Sequence, residues 1–394
     1  MQELGRELVV PSQRSKTLGL SGIRQIFEKA QKIPDIIRLE FGEPDFDTPE
    51  NIKAAAIEAI RKGETRYASS SGIPELRKAI ASKIKSENSI SYDPLSEVIV
   101  TGGATPAIHL ALLAVLDPGE EILVPDPGWA SYIHSVSISG AVPIPYALKE
   151  SSEYAFEGEK AEKLLTPKTK AILINTPSNP MGSVLSRKNL QELADFALEN
   201  KLFVLSDEVY EKFLYQGEGE NEHVSIGSLS EMRDRTVTIN AFSKTYAMTG
   251  WRIGYAAAPE PIISAMNKIN AAENSCVSTF TQYAAIEAFR GSQDSVSKMI
   301  SAFKERRDIL VAGLNEFSGF KCAKPKGAFY AFPNIRKTGY TSTELAMKIV
   351  EDAHVAVVPG SAFGNEGEGY LRIAYANSVE NIKEALVRIG KILE

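Results

Sequence analysis

The sequence predicts an α/β protein with a large domain, built on a mostly parallel sheet between helices, and a smaller α+β domain. Short β-branched runs alternate with longer helical stretches from residue 97 to residue 240. This alternation is typical of parallel sheets that helices cover on both faces. The pattern changes after about residue 290, and a chain of 394 residues has the length of about two domains.

Five apolar runs predict the strands of the large domain. Between them lie helical patterns such as R-K-N-L-Q-E-L-A-D-F-A-L-E-N at 187–200. In sheets of this kind ligands bind outside the carboxyl ends of the strands, so we expect the chemistry there. The predicted strands span residues 97–103, 121–128, 171–177, 202–208 and 236–240.

The smaller domain is predicted from a long amphipathic helix at 292–317 and two short strand patterns, 327–332 and 370–376. The first 45 residues carry no strong strand pattern, and we expect them to pack against this part of the chain. The predicted large domain therefore spans residues 46–290, and the discontinuous small domain combines residues 1–45 with 291–394.

Composition points to a cytoplasmic enzyme and away from several other classes. The net charge of -6 disfavours nucleic acid or an anionic membrane as partner. Cys276 and Cys322 form no C-x-x-C pair and the four histidines are scattered, so neither a disulfide framework nor a metal site is predicted. The N-terminus lacks the layout of a signal peptide, and the longest apolar run is about half the length that spans a bilayer.

The most informative segment is N-A-F-S-K-T-Y-A-M-T-G-W-R-I-G-Y at 240–255. It places Lys244 just after an apolar strand and Arg252 eight residues further on. A lysine amine can form a Schiff base with an aldehyde, and a nearby guanidinium can hold a phosphate dianion. The two suit pyridoxal 5′-phosphate (PLP), a phosphorylated aldehyde cofactor. Taken alone, the pair is also compatible with solvated surface charge.

The segment L-S-D-E-V-Y at 205–210 places Asp207 at the close of an apolar strand. A carboxylate is costly there unless it is paired. A pyridinium nitrogen is a suitable partner, because the carboxylate keeps the ring protonated and able to accept electrons. Tyr210, three residues on, is placed to hydrogen-bond the oxygen of such a ring. The alternative for Asp207 is the N-cap of the following segment.

Other strand ends and joints add weaker signals. T-G-G-A-T-P-A at 101–107 suits a phosphate at a helix N-terminus, although a tight turn explains it equally well. Trp129 can stack on a pyridine ring or belong to the core. Asn179 lies among prolines, where its amide can donate to a ring oxygen or simply form a turn. Tyr67 lies in a polar loop that core packing does not explain, and Gly42 lies in a Gly/Pro-rich joint where the domains would meet.

With these motifs the chain resembles class I/II aminotransferases of PLP fold type I, in particular the aspartate/aromatic aminotransferases of bacteria and archaea. The match runs from about residue 18 to the C-terminus, and seven motifs in order make coincidence very improbable. The resemblance implies a mostly parallel seven-stranded sheet, PLP as cofactor, and a homodimer with shared active sites. The motifs are F-G-E-P-D-F, Y-A-S-S-S-G-I-P-E-L-R, G-G-A-T, N-T-P-S-N-P-M-G, S-D-E-V-Y, S-K-T-Y-A-M-T-G-W-R-I-G-Y and Y-L-R-I-A-Y-A.

The resemblance also implies a role for each site residue. The catalytic residues would be Lys244, Asp207 and Tyr210, with Lys244 as the lysine that binds PLP. The remaining residues that bind the cofactor would be Gly103, Ala104, Trp129, Asn179, Ser243 and Arg252, with Tyr67 reaching the phosphate in the neighbouring subunit. The residues that bind the substrate would be Gly42, Trp129, Asn179 and Arg372, with Arg372 pairing bidentately with the α-carboxylate.

Two residues depart from the pattern of the family. Ala104 stands where many relatives carry a hydroxyl or a lysine, and Ala241 replaces a frequent serine. Only backbone groups at these positions can then contribute, which weakens the phosphate site slightly.

The reaction implied is transfer of an amino group between an L-amino acid and a 2-oxo acid, with aspartate or glutamate as first choice and aromatic amino acids next. No second arginine stands out for a side-chain carboxylate. Arg24 in S-G-I-R is one hypothesis, and a solvent-facing helix position is the alternative. A PLP-dependent lyase or cyclopropane-forming synthase would share almost every cofactor residue. A DNA-binding regulator is disfavoured, since only about twenty residues precede the matching region.

Overall fold

The computed structural model describes residues 22–215 and 223–393, together with residues 10, 12 and 15. In the first helix, side chains are described from Ile26 onward. The described strands are β1 (Ile37–Arg38), β2 (Val98–Thr101), β3 (Glu121–Asp126), β4 (Val142–Ala147), β5 (Thr169–Asn175), β6 (Phe203–Asp207), β7 (Thr236–Ala241), β8 (Gly254–Ala257), β9 (Tyr330–Ala331), β10 (Val355–Ala356), β11 (Val358–Pro359) and β12 (Leu371–Ala374).

A seven-stranded sheet with the order β2-β8-β7-β6-β5-β3-β4 forms the centre of the molecule. Its strands are parallel except β8, which runs antiparallel to both of its neighbours. Val98 and Val100 of β2 face one hydrophobic cluster and Ile99 faces another. Both faces are therefore buried, which explains why the strands read as continuous apolar runs. The predicted fold class is confirmed.

Helices cover both faces of this sheet. On one face α4 packs against α5 and α9, and on the other α10 packs against α2 and α3. The α-helices are α1 (Gly22–Ala30), α2 (Glu50–Arg61), α3 (Pro74–Glu87), α4 (Ala104–Val115), α5 (Ser131–Ser139), α6 (Gly158–Glu162), α7 (Arg187–Glu199), α8 (Phe242–Thr245), α9 (Glu260–Glu273), α10 (Thr279–Arg290), α11 (Asp294–Leu314), α12 (Ser342–Ala353) and α13 (Val379–Leu393).

The C-terminal part of the chain and the segment before α2 share a separate hydrophobic cluster. Strand β1 pairs in parallel with β10, and β9, β11 and β12 form a three-stranded antiparallel sheet. Helices α11, α12 and α13 contribute Phe303, Leu345 and Ile382 to this cluster. The predicted boundaries of the two domains, near residues 46 and 290, stay a prediction.

Each of the five strands predicted for the large domain is present, and the helix predicted at 187–200 is α7. Ser186 caps α7 by accepting a hydrogen bond from the backbone N–H of Asn189. Strands β4 and β8 were not among the predicted strands. Strand β4 contains two prolines and is half exposed at the sheet edge, and β8 is a four-residue strand with the sequence G-Y-A-A. Neither shows the branched apolar pattern on which the prediction rested.

The parallel register brings the ends of three strands to one edge of the sheet. Asn175 ends β5 and lies opposite Asp207, which ends β6 and lies opposite Ile239 of β7. Beyond β7 the chain turns directly into α8. Across the described ranges, no helix combines the length and the apolar character needed to cross a membrane.

Candidate active site

A cavity of about 300 Å³ lies where β5, β6 and β7 end. One wall comes from these strand ends and the starts of α4 and α8, and the opposite wall comes from the segment after β1, from β9 and from β12. The lining residues are Glu40, Phe41, Gly42, Ala104, Thr105, Trp129, Tyr132, Asn175, Asn179, Asp207, Val209, Tyr210, Ala241, Ser243, Lys244, Thr249, Arg252, Tyr330 and Arg372.

Lys244 lies in the one-turn helix α8, and its side chain reaches across the cavity. The Nζ atom donates a hydrogen bond to the carbonyl oxygen of Gly42 over 2.5 Å. Burial lowers the pKa of Lys244 to about 8; Glu43 opposes this shift, whereas Arg372 and Arg252 add to it. The amine is therefore far easier to deprotonate than an ordinary lysine, as a nucleophile or a general base requires.

Asp207 occupies the buried end of β6. Its Oδ2 accepts a hydrogen bond from the Tyr132 hydroxyl over 2.6 Å, and its Oδ1 accepts one from the Val209 backbone N–H over 3.3 Å. Burial raises the pKa of Asp207 to about 6, although both hydrogen bonds act in the opposite direction. The hydrogen-bond donors described for this carboxylate are thus neutral groups. A cationic ligand would stabilise its charged form.

The start of α4 and Arg252 form a second polar region of the cavity. Gly103 precedes α4 with φ at 114°, and a Cβ atom added there would lie 2.7 Å from Arg252 Nη2. Glycine is therefore required both for the backbone conformation and for the approach of the guanidinium. Ala104 and Ser243, at the starts of α4 and α8, line the same region. Backbone N–H groups at a helix start, together with a guanidinium, suit a phosphate.

Tyr210, Tyr330, Asn179 and Arg372 form a further group of contacting residues in the cavity. The hydroxyls of Tyr210 and Tyr330 share a hydrogen bond of 2.8 Å. Arg372 Nη1 donates to Asn179 Oδ1 over 3.2 Å, and the Tyr330 ring centre lies 4.8 Å from the guanidinium carbon. Gly42 joins this group, because a Cβ added to it would lie 2.5 Å from the Tyr330 hydroxyl.

Arg372 itself is almost fully buried, with 3% of its surface exposed. Its Nη2 donates to the Glu40 backbone carbonyl over 2.5 Å, and its Nε is buried without a partner in the described part of the chain. Phe363 lies on the guanidinium, with its ring centre 4.8 Å from the guanidinium carbon. A buried guanidinium that lines a cavity suits an anionic ligand group.

A buried ionic network lies next to Asp207 along the chain. Glu208 accepts hydrogen bonds from Ser225 and faces His223, and Glu211 is paired with Lys83. Although burial acts to raise it, the pKa of Glu211 is lowered to about 2, chiefly by the positive charge of Lys83. The Lys83 ammonium already supplies a cation to the Glu211 carboxylate, so we interpret the group as structural.

The structure brings together most of the predicted site residues, with two exceptions. Tyr67 is 89% exposed and lies on the surface beside the start of α10, so it does not enter the cavity of its own chain. The side chain of Arg24 lies outside the described residues, so its predicted role stays a prediction. Trp129 lines the cavity and packs edge-on against Tyr132, with the ring centres 5.4 Å apart.

Comparison with known proteins explains why these groups meet. The sequence profile of the family described as aminotransferase class I and II matches residues 34–389. The chain belongs to this family. It is an aminotransferase that uses PLP, as the motifs predicted.

The names of relatives of this aminotransferase include two substrate classes, aspartate and aromatic amino acids. A protein named aspartate aminotransferase, from Pyrococcus abyssi, is 47% identical over 97% of this chain and 98% of its own length. A protein named aromatic-amino-acid aminotransferase 2, from Thermococcus litoralis, is 46% identical over the same shares of the two chains. The solved structure of aspartate aminotransferase from Thermus thermophilus with maleate is 37% identical, with a TM-score of 0.92 over 98% of this chain and 100% of that chain.

The residues of the aminotransferase cavity fit PLP. Asp207 accepts hydrogen bonds from the neutral Tyr132 hydroxyl and Val209 N–H, and burial raises its pKa to about 6, so a pyridinium nitrogen would stabilise its charged form. The lowered pKa of Lys244 suits an amine that reacts with an aldehyde. Gly103 leaves open the space into which Arg252 extends at the helix start. These three features correspond to the ring nitrogen, the aldehyde and the phosphate of the cofactor.

The cavity residues that the sequence did not predict include Tyr132, Tyr330 and Glu40. Tyr132 lies inside the quoted motif P-D-P-G-W-A-S-Y, one helical turn from Trp129, so i,i+3 spacing would have identified it. Tyr330 lies in the predicted strand G-A-F-Y-A-F, but its contact with Tyr210 joins residues 120 positions apart. No local pattern predicts such a contact.

Proposed function

We propose that this aminotransferase moves the amino group of an L-amino acid to a 2-oxo acid, with Lys244 as the reacting amine and Arg372 as the α-carboxylate site. The observation that carries the proposal is that Lys244 lines one cavity together with the buried side chains of Asp207 and Arg372. An amine of lowered pKa, a carboxylate for a pyridinium and a guanidinium for a carboxylate are the three groups that the reaction needs.

Arg372 orients the substrate. Its guanidinium is held by Asn179 and by the Glu40 carbonyl and packs against Tyr330, so its position is fixed before the substrate binds. A carboxylate that pairs with a fixed guanidinium has its Cα positioned without further ordering. We assign Gly42 to the same carboxylate end of the site, because it lies between Lys244 and Tyr330.

Lys244 moves the proton. Its Nζ removes the proton from Cα of the bound amino acid, and a pKa of about 8 leaves part of the amine unprotonated near neutral pH. The nearby charges of Arg372 and Arg252 help to keep this pKa low. The carbonyl of Gly42 holds the Nζ hydrogen bond that the structure shows.

The cofactor residues follow from the same geometry. PLP supplies an aldehyde that binds amines and a ring that accepts the electrons released at Cα. We assign Asp207 to the ring nitrogen, Tyr210 and Asn179 to the ring oxygen, and Trp129 to the ring face. Arg252, Ser243 and the backbone of Gly103 and Ala104 are assigned to the phosphate.

Absorption spectroscopy of the PLP-loaded protein tests the proposed function. We expect single L-amino acids, added without any oxo acid, to convert the band of lysine-bound PLP into that of pyridoxamine phosphate, with release of a 2-oxo acid. Addition of a 2-oxo acid should then restore the first band. Binding of amino acids without this conversion would contradict transamination and favour a lyase or synthase.

The proposed active unit is a homodimer with shared sites. Tyr67 is largely exposed and lies outside its own cavity, although the family motif places it at the cofactor phosphate. A homodimer in which the partner's Tyr67 reaches the cavity accounts for the exposure of this residue and for the role that the resemblance implies.

Mixing two impaired variants tests the shared sites. In a dimer of one Tyr67→Ala chain and one Lys244→Ala chain, one cavity has both Lys244 and the partner chain's Tyr67. We expect such hybrids, formed by joint refolding, to recover up to about a quarter of the wild-type activity, since half of the dimers carry one intact site of two. Activity no greater than the average of the separately refolded variants would contradict shared sites.

The remaining question is which class of side chain the substrate carries. From the sequence, aspartate or glutamate is the first choice and aromatic amino acids are the alternative, and relatives carry names of both kinds. A dicarboxylate needs a second cation, and the described cations that line the cavity are Lys244, Arg252 and Arg372. Each of these has a proposed role with PLP or with the α-carboxylate.

A further inference from the structure

Glu40 is one of the residues that line the cavity beside Arg372, and its carboxylate is buried. Its side chain is 1% exposed. Oε1 accepts a hydrogen bond from Arg38 Nε over 2.5 Å, whereas Oε2 is buried and has no partner among the described residues. The backbone carbonyl of Glu40 accepts from Arg372 Nη2. A buried carboxylate oxygen without a partner is unusual, because its desolvation is not compensated.

Arg38 is the cationic partner of Glu40, but it does not line the cavity and so does not offer a cation to the substrate. Its guanidinium carbon lies 5.3 Å from the ring centre of Phe27 and 4.6 Å from that of Phe41. Of the two paired residues, Glu40 lines the cavity and Arg38 does not. The cavity is therefore bordered by the negative member of the pair.

The charges in the cavity then disfavour a second carboxylate on the substrate. Under the proposed function, Arg252 pairs with the cofactor phosphate, Arg372 pairs with the α-carboxylate, and Lys244 is the reacting amine. A side-chain carboxylate would find no further cation among the described lining residues of this chain, and it would lie near the buried carboxylate of Glu40. Like charges repel strongly where water does not screen them.

We propose that Glu40 is a specificity-determining residue that makes the cavity discriminate against substrates with a side-chain carboxylate, in favour of amino acids with uncharged side chains. This inference rests on the proposed function, because it requires the α-carboxylate at Arg372. It acts through unfavourable contact with the wrong substrate, a common means of discrimination. Any effect of Glu40 on the α-carboxylate is the same for every substrate. The role of Glu40 in specificity is therefore measured by the ratio of the specificity constants for two substrates.

Comparison of Glu40→Gln with wild type tests this ratio. Gln keeps the shape and an acceptor for Arg38 but removes the negative charge. We expect the specificity constant for conversion of the cofactor band by aspartate, relative to that by phenylalanine, to rise about tenfold, an effect typical of removing one like charge at several ångströms. Glu58→Gln is the matched control, since Glu58 is an exposed helix residue paired with Lys62, and its ratio should equal that of wild type.

A second measurement uses the wild-type holoenzyme alone and does not depend on folding of the variant. Maleate and its monoamide, maleamate, have nearly the same shape and differ by one charge. We expect maleamate to inhibit phenylalanine conversion at a lower concentration than maleate. Tighter binding of maleate, or an unchanged substrate ratio in Glu40→Gln, would overturn the role of Glu40. If no amino acid converts the cofactor band in wild type, the proposed function itself fails, and the two failures are thus distinguishable.

Discussion

Replacement of Lys244 by alanine is expected to abolish transamination while leaving the fold intact. The variant loses the amine that binds the cofactor and the base that removes the Cα proton, so turnover should fall by at least about 10⁴-fold. The fold should persist, because the Lys244 side chain lines a cavity and its described hydrogen bond is the one to the Gly42 carbonyl. Steady-state assays with thermal unfolding of the same samples would measure both effects.

Lys304→Ala is the control for this experiment. Lys304 lies on the exposed face of α11, so its removal changes the net charge by the same amount without reaching the cavity. We expect wild-type turnover in this control. Near-normal turnover in Lys244→Ala would mean that Lys244 is not the reacting amine.

Replacement of Asp207 by asparagine should give the second largest loss. Asparagine keeps the shape and an acceptor for the Tyr132 hydroxyl, but it cannot neutralise a pyridinium. Breaking a buried ion pair in this way costs roughly 3 kcal/mol, which corresponds to a fall in turnover of about 150-fold. The affinity for PLP should fall in the same variant, and titration of the cofactor-free protein with PLP would show it.

Tyr132→Phe separates the charge of Asp207 from its hydrogen bond. This variant removes the 2.6 Å hydrogen bond and leaves the carboxylate in place. A single hydrogen bond to a charged group contributes about 1.5–3 kcal/mol. We therefore expect turnover to fall less in this variant than in Asp207→Asn. Equal losses in the two variants would argue that Asp207 acts through Tyr132 and not through a ring nitrogen.

The sequence was most informative where chemistry and strand ends coincide. Lys244 and Asp207 could be predicted because a charged residue at the end of an apolar strand requires an explanation, and parallel strands bring their ends to one edge. The seven motifs then supplied Arg372, Asn179 and Gly42, which no charge or spacing argument connects to Lys244. The fold brings all five residues to one cavity.

The features that the sequence did not predict depend on contacts between distant parts of the chain. Glu40 appeared as an unremarkable residue before the F-G-E-P-D-F motif, and only the fold places it between Arg38 and Arg372. The Tyr210–Tyr330 hydrogen bond also joins distant segments, the turn after β6 and strand β9. Strand β8 was missed because its small residues serve close packing, as at Gly254, where an added Cβ would lie 2.8 Å from the Gly103 backbone.

The two prolines that made β4 hard to predict from the sequence also affect how this edge of the sheet can interact with other molecules. Val142 and Leu148 donate their backbone N–H groups to the carbonyls of Glu120 and Asp126, so even-numbered positions face the sheet. Pro143 and Pro145 occupy the alternate positions, where an N–H would face outward, and proline has none. This border of the sheet is therefore a poor template for a strand from another molecule, which protects a long parallel sheet against edge-to-edge aggregation in a crowded solution.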